Sequence, residues 1–225
     1  MSVPMRGELQ VADWAARGIP HGFAPPDTAV APGLILVRAT QVHGDTIVSV
    51  DAASASPIAS ADGLLTNTPG VAVAIATADC VPILLCSPGG QRVAAVHAGW
   101  RGTLADITGR AVRRLAADSG NPANLQAAIG PCIGPCCFEV EADFQDRFVN
   151  QFGAEIRACW REGRAGHGML DLRAVNHLLL RRAGLPDAAI FAVGPCTSCG
   201  DGGFASFRRD GMRAGRQLSW IGCPT

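Results

Sequence analysis

Arg92-Val93-Ala94-Ala95-Val96-His97-Ala98-Gly99-Trp100-Arg101-Gly102-Thr103 reads as an apolar strand that ends on a histidine, followed by a glycine-flanked turn carrying Trp100 and Arg101. A helix is expected to start at Thr103, with Asp106 three residues on as a variant of the capping box. It should run over residues 103–118 with Arg110, Arg113 and Arg114 on its wet side. Where a strand end feeds a helix N-terminus, unpaired backbone N–H groups and the helix dipole converge, and such corners suit ligands. Arg101 adds a positive charge at this corner, and His97 could bind a metal or move a proton. The rest of the chain is read as supplying its partners.

Upstream, residues 70–76 (GVAVAIA) are β-branched and apolar on both faces, the pattern of a central, buried strand. That run ends at Thr77-Ala78-Asp79-Cys80, and Pro82 argues against simple continuation of a central strand. Residues 83–86 are expected as the next strand, turned by Pro88-Gly89-Gly90 into the organising stretch. Further strands are expected at residues 34–37, 46–50, 125–129 and 188–193, with His43 in the turn between the first two. Residues 18–32 and 130–140 are rich in Pro and Gly and read as loops. Helices are expected at residues 141–152 and 172–183, the second N-capped by Asp171 and closed by Gly184. Strands and helices mix without strict alternation, which predicts an α+β fold with mixed sheets.

Composition narrows the function. At 225 residues and 48% hydrophobic content, the chain can bury one sizeable core, and a single domain over residues 1–225 is expected. Net charge is zero and all 19 basic residues are arginine, which argues against nucleic acid as the main partner. Residues 1–10 lack the apolar core of a signal peptide, and the longest apolar run, 70–86, is broken by Asp79 and Pro82 and is short for a membrane span. A soluble, cytoplasmic protein with no membrane partner is expected. Nine cysteines in a reducing compartment are buried small hydrophobes, ligands or nucleophiles.

His43, Cys80 and His97 occupy three loop or strand-end positions. Two imidazoles and a thiolate would make an open zinc site, with a fourth position for water or substrate. A second reading makes Cys80 a nucleophile with His97 as its base, in which case His43 is surplus. The plainer reading is a hydrogen-bonded histidine beside a buried thiol. Asp62 and Asp79 are acid/base or supporting candidates, against the commoner role of an ordinary turn carboxylate. Gly99, Trp100 and Arg101 are the expected substrate contacts, Arg101 favouring an anionic group such as phosphate unless it merely packs on Trp100. Cys196-Thr197-Ser198-Cys199 has the form of a redox or zinc pair. Cys132, Cys136 and Cys137 lack matching histidines and read as structural or incidental. His21, His167 and His177 receive no role.

Six ordered stretches carry a resemblance: Gln41-Val42-His43-Gly44, residues 61–66 (ADGLLT), residues 77–82 (TADCVP), residues 97–102 (HAGWRG), Ile129-Gly130-Pro131-Cys132-Ile133-Gly134 with Glu139-Val140, and Ser206-Phe207-Arg208-Arg209 with Gly215-Arg216. Together they resemble the laccase-domain family, once called multicopper polyphenol oxidases, regarded as zinc-dependent purine nucleoside enzymes and also named peptidoglycan editing factors. The resemblance implies mixed β-sheets packed on one another and flanked by helices, in α/β/β/α-like layers. It implies metal ligands at His43, Cys80 and His97, with zinc as the ion and copper as the alternative. It also implies phosphorolysis of purine nucleosides, methylthioadenosine included, deamination of adenosine, and purine nucleosides and phosphate as partners of a monomer or small homo-oligomer. An editing hydrolase of cell-wall precursors and a metal-binding protein with little catalysis are the alternatives. True multicopper oxidation is rejected, because five scattered histidines cannot build several copper sites. The chain departs from the family in two places. It lacks the Arg-x-Gly-Gly-x-Ser loop after His21-Gly22-Phe23, and Phe138 stands where the family has tyrosine.

Overall fold

A computed structural model describes residues 7–28, 33–117, 120–200 and 203–225. The first elements are α1 (Ala12–Ala16), β1 (His21–Ala24), β2 (Ile35–Arg38), β3 (Ile47–Ser49), β4 (Gly63–Thr66), β5 (Val71–Thr77), β6 (Val81–Cys86) and β7 (Val93–Ala98). There follow α2 (Trp100–Leu104), α3 (Ile107–Ala116), β8 (Gln126–Ile129), β9 (Glu139–Glu141) and α4 (Asp143–Phe152). The C-terminal part holds β10 (Trp160–Glu162), β11 (His167–Leu170), α5 (Leu172–Arg182), β12 (Ile190–Ala192), α6 (Phe207–Asp210) and β13 (Gln217–Gly222). No helix among the described residues is long and apolar enough to cross a membrane.

The strands form a four-stranded sheet in the order β1-β13-β5-β2, a six-stranded sheet in the order β12-β8-β6-β7-β4-β3, and a small sheet β10-β11-β9. Both larger sheets mix parallel and antiparallel pairs. They stack face to face, and side-chain alternation along each strand divides the core in two. On β6, Leu84 and Cys86 enter the layer between the sheets, whereas Val81, Ile83 and Leu85 face the helices. Along β7, Val93 and Ala95 point to the first layer and Ala94, Val96 and Ala98 to the second. The helical layer is made by Ile107, Ala111, Val112 and Leu115 of α3 with Leu172, Val175, Leu179 and Leu180 of α5. Inside it Asn176 is satisfied on both sides. It accepts from Thr108 Oγ1 at 2.6 Å and donates to Thr103 Oγ1 at 3.1 Å and to the Leu172 carbonyl at 2.9 Å. The architecture is the expected α+β fold of stacked mixed sheets flanked by helices.

Three local expectations are corrected. The helix expected over residues 103–118 begins at Trp100 and breaks at Asp106, whose backbone is left-handed (φ 57°) and whose side chain accepts from the Gly109 N–H at 3.1 Å. Asp106 is therefore the N-cap of a second helix rather than an interior residue, and residue 118, where the helix was expected to end, lies outside the described residues. Within the segment 18–32, read as loop, His21–Ala24 is a strand that pairs antiparallel with β13, and likewise Glu139 and Val140 of the segment 130–140 belong to β9, which pairs antiparallel with β11. Residues 29–32 of the first segment, like 1–6 of the N-terminal stretch, lie outside the described residues. Pro82 does sit in a central strand. It pairs with His97 on the β7 side, while the β8 ladder starts one residue later at Ile83, so the missing N–H falls at the strand's end.

Leu84 is fully buried between the sheets. Leu84→Ala is expected to cost about 2–5 kcal/mol in urea unfolding monitored by circular dichroism, with an unchanged denaturant slope.

Candidate functional site

The site lies where the chain crosses from one large sheet to the other. β5 belongs to the four-stranded sheet and β6 to the six-stranded one, and residues 78–80 make the crossing with Asp79 in a left-handed conformation (φ 86°). Cys80 sits at that corner. His97 occupies the neighbouring strand, paired opposite Pro82. His43 lies in the turn before β3, itself left-handed (φ 60°). A non-glycine residue at positive φ is uncommon and costs of order 1–3 kcal/mol, so both corners must be held by their surroundings.

Asp62 holds the His43 corner. Its carboxylate has no solvent exposure and accepts the backbone N–H groups of Val42 (3.2 Å), His43 (2.9 Å) and Gly44 (2.7 Å). It also meets His97 Nδ1 at 2.7 Å, which leaves Nε2 as the ring nitrogen free for another partner. The crossing at 78–80 is tied by Asp79, which accepts from Thr197 Oγ1 at 2.7 Å and from the Arg208 backbone N–H at 2.6 Å.

The ligating atoms of His43, Cys80 and His97 all lie within 4.8 Å of one another. A Cβ at Gly99 would stand 3.2 Å from Cys80 Sγ and 3.3 Å from His43 Cδ2, so glycine there keeps the space among the three open. Two imidazoles and one thiol are a donor set that fits zinc or copper. Burial alone would raise the Cys80 thiol, but hydrogen bonds from His43 and His97 outweigh it and bring it down to about 6. Burial works against the His97 cation too, yet Asp62 and Cys80 beside it push it up to about 9. Burial raises Asp62, and the His97 and amide hydrogen bonds reverse this, leaving it below the ordinary carboxylate value.

The three residues open onto a cavity of about 520 Å³. It is walled by Trp100, Ile133, Phe138, Leu172 and Phe207, with Gln41, Asp79, Arg208 and Arg216 as polar members. Of the expected residues, Asp79 and Trp100 line it. Asp62 does not; it stands behind His97. Arg101 is exposed and its guanidinium lies over the Trp100 ring at 4.6 Å, outside the cavity lining. The helix that Arg101 belongs to spans only five residues. The arginines that line the cavity are Arg208 and Arg216, both exposed. Neither arginine sits in a local catalytic motif, and the sequence signal for them is their place in the stretches Ser206–Arg209 and Gly215-Arg216. His21 is buried and locked between the Val11 N–H and the Ile19 carbonyl, each at 2.8 Å.

Residues 28–224 match the family described as multi-copper polyphenol oxidoreductase laccase. The chain belongs to this family. Within it, purine nucleoside phosphorylase YlmD of Geobacillus stearothermophilus is 38% identical over 191 residues, covering 81% of this chain and 70% of that protein. Adenosine deaminase RL5, from an unknown prokaryotic organism, is 36% identical over 160 residues, covering 71% of this chain and 61% of its own. The crystal structure of hypothetical protein YfiH from Bacillus licheniformis superposes with a TM-score of 0.85 at 28% identity and covers 98% of both chains.

In this laccase-family chain two outcomes follow from Asp62 and His97. Asp62→Asn removes the charge that fixes the His97 ring, and zinc affinity measured by chelator competition should fall about 10–100-fold. The His97 value stands above the ordinary 6.5, so its protonated form contributes stability that is complete below 6.5 and lost as pH rises through about 9. A metal must displace that proton. Titration calorimetry at pH 7.5 in buffers of different ionisation enthalpy should therefore show about one proton released per zinc, with affinity rising until pH passes about 9.

Proposed function

We propose that the chain, acting as one domain over residues 1–225, is a zinc-dependent purine nucleoside phosphorylase that also deaminates adenosine and accepts methylthioadenosine. The observation that carries this reading is the joining of three elements in one cavity. These are the His43–Cys80–His97 donor set, the aromatic walls Trp100, Phe138 and Phe207, and the lining arginines Arg208 and Arg216. The names of the two relatives, a purine nucleoside phosphorylase and an adenosine deaminase, support it. The cavity volume suits a ligand of nucleoside size.

When held by His43, Cys80 and His97, zinc supplies a Lewis acid with one open position. Zinc is preferred to copper because neither reaction transfers electrons. Trp100, Phe138 and Phe207 offer ring faces and edges to a flat purine and exclude water from around it. Arg208 and Arg216 neutralise phosphate through charge-assisted hydrogen bonds, the role first expected of Arg101. In phosphorolysis a phosphate oxygen bonds to C1′ as the bond from C1′ to the base breaks. In deamination water adds at C6 and ammonia departs. Both leaving groups need a proton. Asp79 is the carboxylate that lines the cavity, and each of its oxygens accepts one bond and keeps a lone pair free, so Asp79 relays the proton: from the attacking water to the departing ammonia in deamination, and from hydrogen phosphate to the departing base in phosphorolysis. Asp62 positions His97 and stays out of the proton path.

A second reading has one observation in its favour. Cys80 is hydrogen-bonded by both histidines and its thiol is brought down to about 6, the state a nucleophile needs for attack on an amide of a cell-wall precursor. Polyphenol oxidation is not proposed. Of five histidines, His43 and His97 share a site, His21 is locked in the core, His177 faces Asp187 and His167 faces Arg164.

Chromatography of adenosine and inosine incubated with zinc-loaded protein, with and without phosphate, tests these readings. Free base and ribose 1-phosphate should form only with phosphate and vanish in Cys80→Ala. Arg216→Ala should raise the KM for phosphate about tenfold, the worth of one hydrogen bond to a charged group. Neither base nor inosine above the Cys80→Ala level would rule the nucleoside reading out. Release of an amino acid from cell-wall precursor without phosphate would favour the hydrolase.

A further inference from the structure

The loop of residues 130–138 and the loop that follows β12 run side by side. Cys132 and Cys196 pair through their backbones as an isolated parallel β-bridge, and the Thr197 N–H donates to the Cys132 carbonyl at 3.0 Å. Beyond that bridge each loop turns back on itself. The N–H groups of Cys137 and Phe138 both donate to the Gly134 carbonyl at 3.0 Å, and the Gly200 N–H donates to the Cys196 carbonyl at 2.9 Å. The two turns bring together two cysteine pairs, Cys136-Cys137 and Cys196/Cys199, that are far apart in sequence. Sγ atoms of Cys136, Cys137, Cys196 and Cys199 all lie within 4.8 Å of one another. Cys136, Cys137 and the Cys196–Cys199 pair, unmatched along the chain, are thus one group.

We propose that Cys136, Cys137, Cys196 and Cys199 bind a structural zinc ion, separate from the His43–Cys80–His97 site.

Four sulfurs and no other donor are the ligand set of closed, tetrahedral zinc sites. With zinc–sulfur bonds of about 2.3 Å, the edges of a sulfur tetrahedron measure about 3.8 Å. The cluster needs only a small adjustment to reach that size: Cys136 Sγ and Cys199 Sγ stand 3.3 Å apart, and no pair exceeds 4.8 Å. Glycine keeps the space clear, since a Cβ at Gly134 would lie 3.2 Å from Cys136 Sγ and 3.3 Å from Cys196 Cβ. The Gly134 backbone N–H already donates to Cys196 Sγ at 3.2 Å, the bond that a thiolate ligand accepts.

Four thiolates around a divalent ion leave two negative charges, and two guanidinium groups lie against the same loops. Arg208 Nη1 donates to the Cys137 carbonyl at 2.9 Å, and Arg209 Nη1 donates to the Thr197 carbonyl at 2.7 Å. An ion here would clamp one wall of the cavity, because Ile133 and Phe138 of the first loop line it and Thr197 of the second holds Asp79. The site is placed to brace the fold and touches no substrate.

The test is zinc content per chain by mass spectrometry, on anaerobically purified and desalted wild-type protein, Cys80→Ala, Cys136→Ser and Cys199→Ser. The wild type should carry two equivalents and every variant one. Cobalt in Cys80→Ala should give the intense thiolate-to-cobalt charge-transfer bands of a four-sulfur site, a readout independent of any activity. A Cys80→Ala protein that is folded by circular dichroism yet holds no metal would overturn the proposal. So would alkylation and peptide mapping of the denatured wild type that shows these four sulfurs oxidised to disulfides, a measurement that needs no variant. Loss of nucleoside turnover in Cys80→Ala alone bears on the other site and leaves this count untouched.

Discussion

The carboxylate of Asp62 is the constraint on which the site depends. A buried carboxylate is tolerated only where charge and hydrogen bonds compensate its lost hydration. Asp62 finds that compensation in three successive amides of the His43 turn and in the imidazole of His97. Its backbone is used as well, since the His97 N–H donates to the Asp62 carbonyl at 2.7 Å and the Asp62 N–H to the Thr46 carbonyl at 2.9 Å. One residue thereby fixes the left-handed turn at His43, the end of β7 and the ring nitrogen that His97 keeps free. A group so fully engaged is suited to hold geometry and poorly placed to exchange protons with a substrate.

Close backbone approach completes the arrangement. A Cβ at Gly102 would lie 2.7 Å from the Gly44 carbonyl oxygen, so α2 packs directly on the turn that carries His43. The organising stretch, with its glycines at 99 and 102, is thus shaped twice. Gly99 leaves room among the three donor residues, and Gly102 lets the helix touch their supporting turn. The chain's crossing between sheets at residues 78–80 then sets Cys80 opposite, and the cavity is what remains between that crossing, α2 and the C-terminal loops.

Much of this frame was legible because it is local. β5, β7 and the 83–86 part of β6 follow from their apolar runs, whereas the extension of β6 back through Pro82 does not, and the cap of α5 follows from Asp171, whose side chain accepts from the Ala174 N–H. β13 was not legible. Its sequence, Gln217 to Gly222, places buried Gln217 and Ser219 among apolar residues, and its identity as a strand comes from β5 and β1 on either side, both far off in sequence. Asp106 breaks a helix whose apolar period continues across it, which period alone conceals. At the site, His43, Cys80 and His97 stood out as loop or strand-end residues, and the family resemblance ranked them. Their common support by Asp62 needed the fold. Arg208 and Arg216 come from the tail and face the cavity only because β13 returns to the sheet centre, so no spacing rule reaches them.

The two metal-capable clusters differ in the way their expected roles require. His43, Cys80 and His97 present three donors to an open cavity, with a buried carboxylate behind one of them, the arrangement of an ion that must keep a position for an incoming group. The cysteine cluster offers four like donors from two turns and backs onto peptide groups, the arrangement of an ion that accepts nothing further. They are joined by a short path. Thr197, beside Cys196, donates to Asp79, and Asp79 precedes Cys80. A closed ion at the first end of that path would hold the cavity wall and the Cys80 corner in one rigid frame, which is what an open site needs if its donors are to stay in place with only three of them supplied by the protein.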